Sequence, residues 1–265
     1  MSDFGARPSR KAATAARMYD YYLGGTHNFP ADRQAADAVI ERFPFIPEAA
    51  RANRAFAVSA ARYLAESGIR QFLDIGSGIP TVDNLHSVVR RVHPDTRVAY
   101  VDIDPVAVAE SLEILDGDSL AIAVRGDVQQ PQAVVEHPEV RRLLDFDQPI
   151  GVVLAAVLHF VPEHQVADQA VAELIKSVGP GSQFVISHSA KESFELFTAT
   201  EDVYQRRTST PGTVRTRAEV ERLFTGLELL DPGVVWAQEW RPGAALDRVA
   251  HPRAGGIWAG VGRKR

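Results

Sequence analysis

The sequence predicts an α/β fold with a mostly parallel sheet, an antiparallel strand at one edge and a helical segment in front. Short apolar runs that suit buried strands alternate with segments of helical spacing, which is typical of strand–helix–strand units. The clearest unit begins with the apolar run 72–75 and continues through a glycine turn at 76–78. Apolar residues at helical spacing then follow at Val82, Leu85, Val88, Val89 and Val92. Strands late in the chain can pair with each other, which favours the antiparallel edge.

Three helices are predicted before the first strand, over about residues 12–23, 30–42 and 47–67. We expect them to form a lid over the edge of the sheet where α/β folds bind ligands. The lid side chains that could reach a ligand are Tyr22, Asn28 and Arg54. A buried phenol needs a partner, and a guanidinium can bind a carboxylate in a bidentate manner. Residues 1–68 would form the tail and lid, and residues 69–265 the ligand-binding domain, together in one compact unit.

The glycine turn is a poor match to a dinucleotide-binding fingerprint. The third glycine is replaced by Thr81, and Pro80 has no N–H to offer a phosphate, although it suits the first turn of a helix. Asp74 lies two residues before the first glycine, where it would repel a pyrophosphate. This pattern suits a ligand with a cationic end, such as S-adenosylmethionine (SAM); alternatively, the turn only lets strand and helix pack. The candidates for the methionine end of SAM are Asp74, Gly76, Ser77 and Gly78.

Two more acids follow the next two predicted strands. Asp102, with Ile103 beside it, comes about 25 residues after the glycine turn, where a carboxylate can accept hydrogen bonds from ribose hydroxyls. Asp104 is expected to cap the helix that follows. Asp127, with Val128, could accept a hydrogen bond from the adenine amino group, or could be a simple turn residue. Acids at three successive strand ends are more specific together than any one of them alone.

A central strand is predicted over 150–158, and His159 follows it at the carboxyl edge of the sheet. His159 could be a general base, a substrate contact or a cofactor contact; alternatively, it bonds to a neighbouring loop. The segment 189–216 mixes aromatic and charged residues and is expected to be an insertion on the substrate side. The remaining predictions are strands over 183–187, 227–230 and 256–261 and helices over 163–178 and 217–224.

Composition excludes several classes of protein. The formal net charge of −5 over 265 residues argues against a general nucleic-acid binder. The absence of cysteine excludes disulfides, thiol catalysis and cysteine-based zinc sites, and no metal site is expected. The first ten residues lack the apolar core of a signal peptide, and no apolar run is long enough to cross a membrane. These features fit a cytoplasmic protein.

The sequence resembles a known superfamily and, more specifically, one family within it. Residues 74–78, Asp102, residues 126–127 and residues 158–160 look like successive motifs of the class I SAM-dependent methyltransferases. The N-terminal signature is more specific. Tyr19-Asp20-Tyr21-Tyr22-Leu23-Gly24-Gly25, with Asn28-Phe29 and Ala31-Asp32-Arg33, is similar to the opening of the actinobacterial S-adenosyl methyltransferase family, formerly a domain of unknown function. Thr26-His27 departs from the lysine–acid pair expected there.

The resemblance implies a Rossmann-like, seven-stranded sheet, SAM as cofactor and methyl transfer to an unidentified small molecule. SAM is intrinsically reactive, so such a protein mainly positions the reactants and excludes water. A base is needed only if the acceptor is a hydroxyl or a similar acid. Two alternatives remain: a non-catalytic protein that binds SAM or S-adenosylhomocysteine, and a nicotinamide-dependent oxidoreductase. The second is disfavoured by Thr81 and Pro80 in the glycine turn.

Overall fold

The computed structural model describes residues 13–81, 84–193, 212–241 and 256–265 of the chain. The helices are α1 (Ala15–Tyr22), α2 (Pro30–Arg42), α3 (Ile46–Glu66), α4 (Leu85–Arg90), α5 (Pro105–Ile114), α6 (Pro131–Val135), α7 (Pro138–Leu143), α8 (His164–Ser177) and α9 (Arg217–Arg222). The strands are β1 (Gln71–Ile75), β2 (Arg97–Asp102), β3 (Ala121–Arg125), β4 (Gly151–Ala155), β5 (Gln183–Ser189), β6 (Glu228–Leu229), β7 (Val235–Trp236) and β8 (Ile257–Arg263). Most of the predicted insertion, 194–211, lies outside the described residues.

The strands form one mixed sheet of order β3-β2-β1-β4-β5-β8-β6, and β7 also pairs with β8. Strands β1 to β5 are parallel to their neighbours, whereas β8 is antiparallel to β5, β6 and β7. The predicted α/β fold with an antiparallel strand near one edge is therefore confirmed. The short strand β7, within a segment that looked only polar and aromatic, brings the described strands to eight. From β1 the chain first runs to β2 and β3 on one side, and then crosses to β4 and β5 on the other side. Open α/β sheets bind ligands at the point where the strand order reverses in this way.

Both faces of the sheet are covered by helices, as a parallel sheet requires. Successive side chains of a strand point to opposite faces, so Phe72 packs with Phe56 and Leu64 of α3, while Leu73 packs with Val171 of α8. All of these side chains are almost fully buried. Helix α3 thus belongs to the sheet's main core even though it precedes the first strand. Helices α1 and α2, together with Ala50 of α3, form a smaller cluster around Met18.

The predicted start of the helix after β1 is wrong. Pro80 suits a first helical turn, but α4 begins at Leu85, where the Asn84 side chain accepts a hydrogen bond from the Ser87 N–H at 3.0 Å. A side-chain cap satisfies a backbone donor that would otherwise have no partner, and Pro80 offers no such cap. The stretch before α4 is held by α1 instead, because the Thr81 hydroxyl donates to Asp20 Oδ1 at 3.0 Å.

A buried charge cluster holds α1 in place. Arg17 of α1 donates from Nε to Asp32 Oδ2 at 2.8 Å and from Nη1 to Asp104 Oδ2 at 3.2 Å. Asp32 also accepts the backbone N–H groups of Thr14 at 3.2 Å and Phe29 at 2.8 Å. Asp104 follows β2 and caps α5, as predicted, by accepting the Val106 N–H at 2.9 Å. The cluster therefore links α1 and α2 to the carboxyl edge of the sheet.

Asp32→Ala should destabilise the protein by about 3–5 kcal/mol, because it leaves the Arg17 guanidinium buried without its main counterion. Arg17 and Asp32 are only 2% and 0% exposed. The matched control is Arg70→Ala, which removes an ion pair whose partners are 55% and 68% exposed and should cost less than about 1 kcal/mol. Denaturant unfolding at neutral pH measures both. Equal losses in the two variants would contradict the role given to the buried cluster.

Candidate active site

A cavity of about 500 Å³ lies at the carboxyl ends of the parallel strands. Helices α1 and α3, the glycine turn and the loops after β2, β3 and β4 all contribute to its wall. This volume suits a small-molecule ligand. Of the residues predicted to bind a ligand, those that line the cavity are Tyr22, Arg54, Asp74, Gly76, Ser77, Gly78, Asp102, Ile103, Asp127, Val128 and His159.

Asn28 is the predicted ligand contact that the structure does not bring to the cavity wall. Its amide donates to Asp20 Oδ2 and to the Gly25 carbonyl, both at 2.9 Å, and its side-chain oxygen accepts from Arg33 at 2.9 Å. Asp20 also accepts the His27 N–H at 2.9 Å. Asn28 thus shapes the loop behind α1.

Asp74 places a buried carboxyl group in the middle of the sheet. It pairs in register with Tyr100 of β2 and Val153 of β4. Burial raises the pKa of Asp74 to about 7; Arg54 opposes this shift, and the nearby carboxylate of Asp102 adds to it. A ligand that brings a positive charge to this position would favour the ionised carboxylate.

The glycine turn follows Asp74 directly and is tied to β2. Gly76 and Gly78 have φ angles of +74° and +60°, a conformation that glycine adopts without strain. The Gly76 N–H donates to the Val101 carbonyl at 2.8 Å. A Cβ atom on Gly76 would lie 2.2 Å from Val157 Cγ2, so the loop after β4 packs directly on the turn. The turn leaves backbone exposed to the cavity where a side chain would fill it.

The Asp102 carboxylate joins the glycine turn after β1 to the loop after β2. Oδ2 accepts the Gly78 N–H at 2.8 Å, and Oδ1 accepts the Asp104 N–H at 2.8 Å. Burial raises the pKa of Asp102 to about 6, although these backbone hydrogen bonds act in the opposite direction. Beside it, Ile103 is 47% exposed and presents an apolar surface at the cavity.

The end of β3 forms the next part of the wall. Asp127 accepts the Gln129 N–H on Oδ1 at 2.9 Å, and the Gly126 N–H donates to the Asp102 carbonyl at 3.0 Å. Val128 is buried at the base of this loop. The three predicted acids Asp74, Asp102 and Asp127 therefore line one cavity from three adjacent strands, as their positions at successive strand ends predicted.

A hydrogen-bonded chain on the other side of the cavity was missed by the sequence analysis. The Ala156 N–H donates to Ser187 Oγ at 2.9 Å, Ser187 donates to Asn53 Oδ1, and Asn53 Nδ2 donates to the Tyr19 hydroxyl at 2.9 Å. Tyr19 in turn donates to the Ala50 carbonyl at 3.0 Å. Ala156, with a φ of +56°, lies in the left-handed region, which is strained for alanine. The chain fixes this strained turn after β4 to helices α1 and α3.

Helical spacing could have indicated Tyr19, one of the residues in this series of hydrogen bonds. Tyr19 and Tyr22 are three residues apart and so share a face of α1, and both line the cavity. Of the two, only Tyr22 was among the predicted ligand contacts. Asn53 and Ser187 carry no comparable signal, because they are isolated polar residues within a helix and a strand that meet only in the fold.

Comparison with known proteins identifies the family to which the chain belongs. The model of the S-adenosyl methyltransferase family matches residues 6–265 of the chain. The chain belongs to the S-adenosyl methyltransferase family. Among proteins with curated functions, none matches the sequence.

Solved structures agree with this assignment. A candidate methyltransferase from Thermobifida fusca is 37% identical, with a TM-score of 0.90 over 97% of each chain. A DUF574 family protein from Streptomyces avermitilis is 36% identical, with a TM-score of 0.93 over 98% of this chain and 100% of that one. The N-methyltransferase NodS from Bradyrhizobium japonicum, in complex with S-adenosylhomocysteine, is 13% identical with a TM-score of 0.51 over 94% and 98% of the chains, which shows a shared fold.

The protein is thus a SAM-dependent methyltransferase, and SAM is its methyl donor. The cavity fits this cofactor, because a buried acid, two cavity-facing glycines and further acids at adjacent strand ends suit its ammonium and hydroxyl groups. The family assignment favours methyl transfer over the nicotinamide-dependent alternative. None of the helices in the described ranges has the length and apolar character needed to span a membrane.

The raised pKa of Asp74 should make SAM binding depend on pH. If Asp74 binds the SAM ammonium, its carboxyl group must be ionised to do so, and protonation competes as the pH falls below about 7. We expect the Kd of SAM to rise by about tenfold between pH 7 and about pH 5.5, measured by calorimetry. Asp74→Asn is the control: it should bind more weakly at pH 7 and lose most of the pH dependence, with Asp102 accounting for the remainder. An unchanged Kd in the wild-type protein would contradict this role.

Proposed function

We propose that the protein transfers the methyl group of SAM to a small molecule that binds beside the cofactor in the cavity. The observation that carries the proposal is the convergence of the three strand-end acids Asp74, Asp102 and Asp127 on a single cavity. SAM supplies a methyl group on a sulfonium, which a nucleophile can attack directly. The residues around it then act by binding, orienting and excluding water.

Each end of the cofactor has candidate partners. Asp74 would bind the ammonium, and the exposed backbone of Gly76, Ser77 and Gly78 would lie along the methionine part. Asp102 would accept the ribose hydroxyls, with Ile103 packing against the adenine. Asp127 and Val128 would meet the adenine edge, and Asp127 Oδ2 has no hydrogen bond among the described residues. Arg54, whose charge acts on Asp74, would meet the carboxylate of SAM.

The N-terminal helices would serve as the lid, with residues 1–68 forming the tail and lid and residues 69–265 the main domain. In support, α1 and α3 both contribute to the cavity wall, and Tyr22 is buried against it. Asn28 would act indirectly, by holding the loop behind α1. The segment 189–216 would contribute on the substrate side, since Ser189 and Gly212 at its described ends line the cavity.

The acceptor would bind on the side of the cavity formed after β4. Val157, Phe160 and Ile257 give this side an apolar character, which suits a small and moderately apolar molecule. His159 belongs to this side as well. Burial, followed by the charge of Arg215, lowers the pKa of His159 to about 3. So weak a base would contribute little proton transfer at neutral pH, so we assign His159 a binding role.

Asp102→Ala should weaken SAM binding by about 1–3 kcal/mol through lost hydrogen bonds. Calorimetric titration of the folded variant with SAM measures this, and circular dichroism confirms that the variant is folded. Asp95→Ala is the matched control, because Asp95 precedes β2 at the opposite end of the sheet and is 68% exposed. Its affinity for SAM should equal that of the wild type. Unchanged affinity in folded Asp102→Ala would remove Asp102 from the ribose role.

A further inference from the structure

The charges around the cavity are unevenly distributed. The acids in its wall all lie at the ends of strands β1 to β3 or just after them: Asp74, Asp102, Asp104 and Asp127. Among the described lining residues contributed after β4, none is acidic. That second side, which we call the acceptor side, contains His159, Phe160 and Ser189. The carboxylates that the described residues bring to the cavity wall therefore lie on one side of it, away from the acceptor side.

His159 offers one nitrogen to the cavity. Its Nδ1 atom is shielded from solvent and has no hydrogen-bond partner among the described residues. Its Nε2 atom has no hydrogen bond to a described residue either, and the side chain is partly exposed where it lines the cavity, so Nε2 is the ring nitrogen that can serve a ligand there. The backbone is fixed, since the His159 carbonyl accepts the Thr213 N–H at 2.7 Å.

Arg215 is a buried cation whose charge acts on His159. Arg215 is 0% exposed and donates to the Leu158 carbonyl at 3.1 Å, to the Val161 carbonyl at 3.2 Å and to His188 Nε2. These hydrogen-bond partners are neutral. Within the described part of the chain Arg215 forms no ion pair, and the charges of Asp168 and Glu219 act on it from beyond ion-pair distance. The guanidinium remains charged at any pH at which the protein folds.

Burial and the Arg215 charge lower the pKa of both His159 and His188, so both rings are neutral at pH 7. His188 donates from Nδ1 to the Ser189 carbonyl at 2.8 Å, so its Nε2 lone pair is free to accept from Arg215. The rings of His159 and His188 lie edge to face, with centroids 5.7 Å apart. A proton on the shielded Nδ1 of His159 would be a buried donor without an acceptor among the described residues, which is costly. The neutral ring is therefore expected to carry its proton on Nε2, as a donor towards the cavity.

We propose that the acceptor side recognises a methyl acceptor that carries a carboxylate, held by a hydrogen bond from His159 Nε2–H in the field of the buried Arg215. A single N–H donor on a ring that feels the positive charge of Arg215 matches a monoanion; a phosphate would require more donors. Phe160, whose ring centroid lies 4.2 Å from that of His159, provides a surface for the body of such a molecule. This inference rests on the proposed function, since it assigns the acceptor to the side of the cavity opposite the SAM acids.

The test uses benzoate and its neutral, nearly isosteric analogue benzamide as probes of the acceptor side. Both are titrated into the full-length protein by NMR, with and without S-adenosylhomocysteine. Benzoate should bind about tenfold more tightly than benzamide, because a hydrogen bond to a charged group is the stronger one. Equal affinities, or no binding of benzoate up to its solubility limit, would overturn the proposal.

Variants locate the effect. His159→Phe should reduce benzoate affinity by about tenfold and leave benzamide nearly unchanged, whereas His159→Gln, which retains an N–H donor, should keep most of the preference. Nitrogen shifts of labelled histidine in the wild-type protein should show His159 neutral with its proton on Nε2. A proton on Nδ1 would overturn the proposal without any variant. Binding of S-adenosylhomocysteine is measured in a separate titration. If it does not bind, the proposed cofactor site is contradicted, whereas the comparison of benzoate with benzamide still tests the acceptor side.

Discussion

The hydrogen bonds around the end of β2 are the constraint on which the rest of the site depends. Asp102 binds the backbone of the glycine turn on one side and of Asp104 on the other. Asp104 caps α5 and also accepts from Thr14 Oγ1 at 2.7 Å and from Arg17. A loop of the sheet, a helix of the main fold and α1 thus meet at two neighbouring carboxylates. The position of α1 over the cavity is determined by the same strand end that would hold the ribose.

This arrangement has a cost in stability when no cofactor is present. The folded-state pKa of Asp74 is about 7, above the ordinary value of 3.8 expected in the unfolded chain. Between these two values the folded state binds more protons than the unfolded state, so the contribution of Asp74 to stability falls as the pH rises. Asp102 acts in the same direction over a narrower range. The two acids therefore do not favour folding at neutral pH, and carboxyl groups with raised pKa values are common at functional sites.

Much of the fold and of the cofactor wall could be predicted from the sequence, because both depend on local patterns. Apolar runs and glycines indicated β1 to β5. Acids at the ends of adjacent parallel strands lie at the same edge of the sheet, so their proximity follows from the strand arrangement alone. The prediction that a helix starts at Pro80 was wrong, because the helix is capped by Asn84, further along the chain. The contacts among Arg17, Asp32 and Asp104 could not be predicted, since they join residues up to 87 positions apart. The pairing of His188 with Arg215 was missed for the same reason.

The left-handed turn at Ala156 restricts how this wall can change among relatives. Alanine tolerates the conformation at a cost of about 1–2 kcal/mol, glycine adopts it freely, and asparagine or aspartate adopts it more readily than most residues. A side chain branched at Cβ would be incompatible with it. The identity of the residue aligned with Ala156 can therefore serve as a marker: a valine or isoleucine there would indicate a family member in which the loop after β4, and with it the acceptor side, follows a different path.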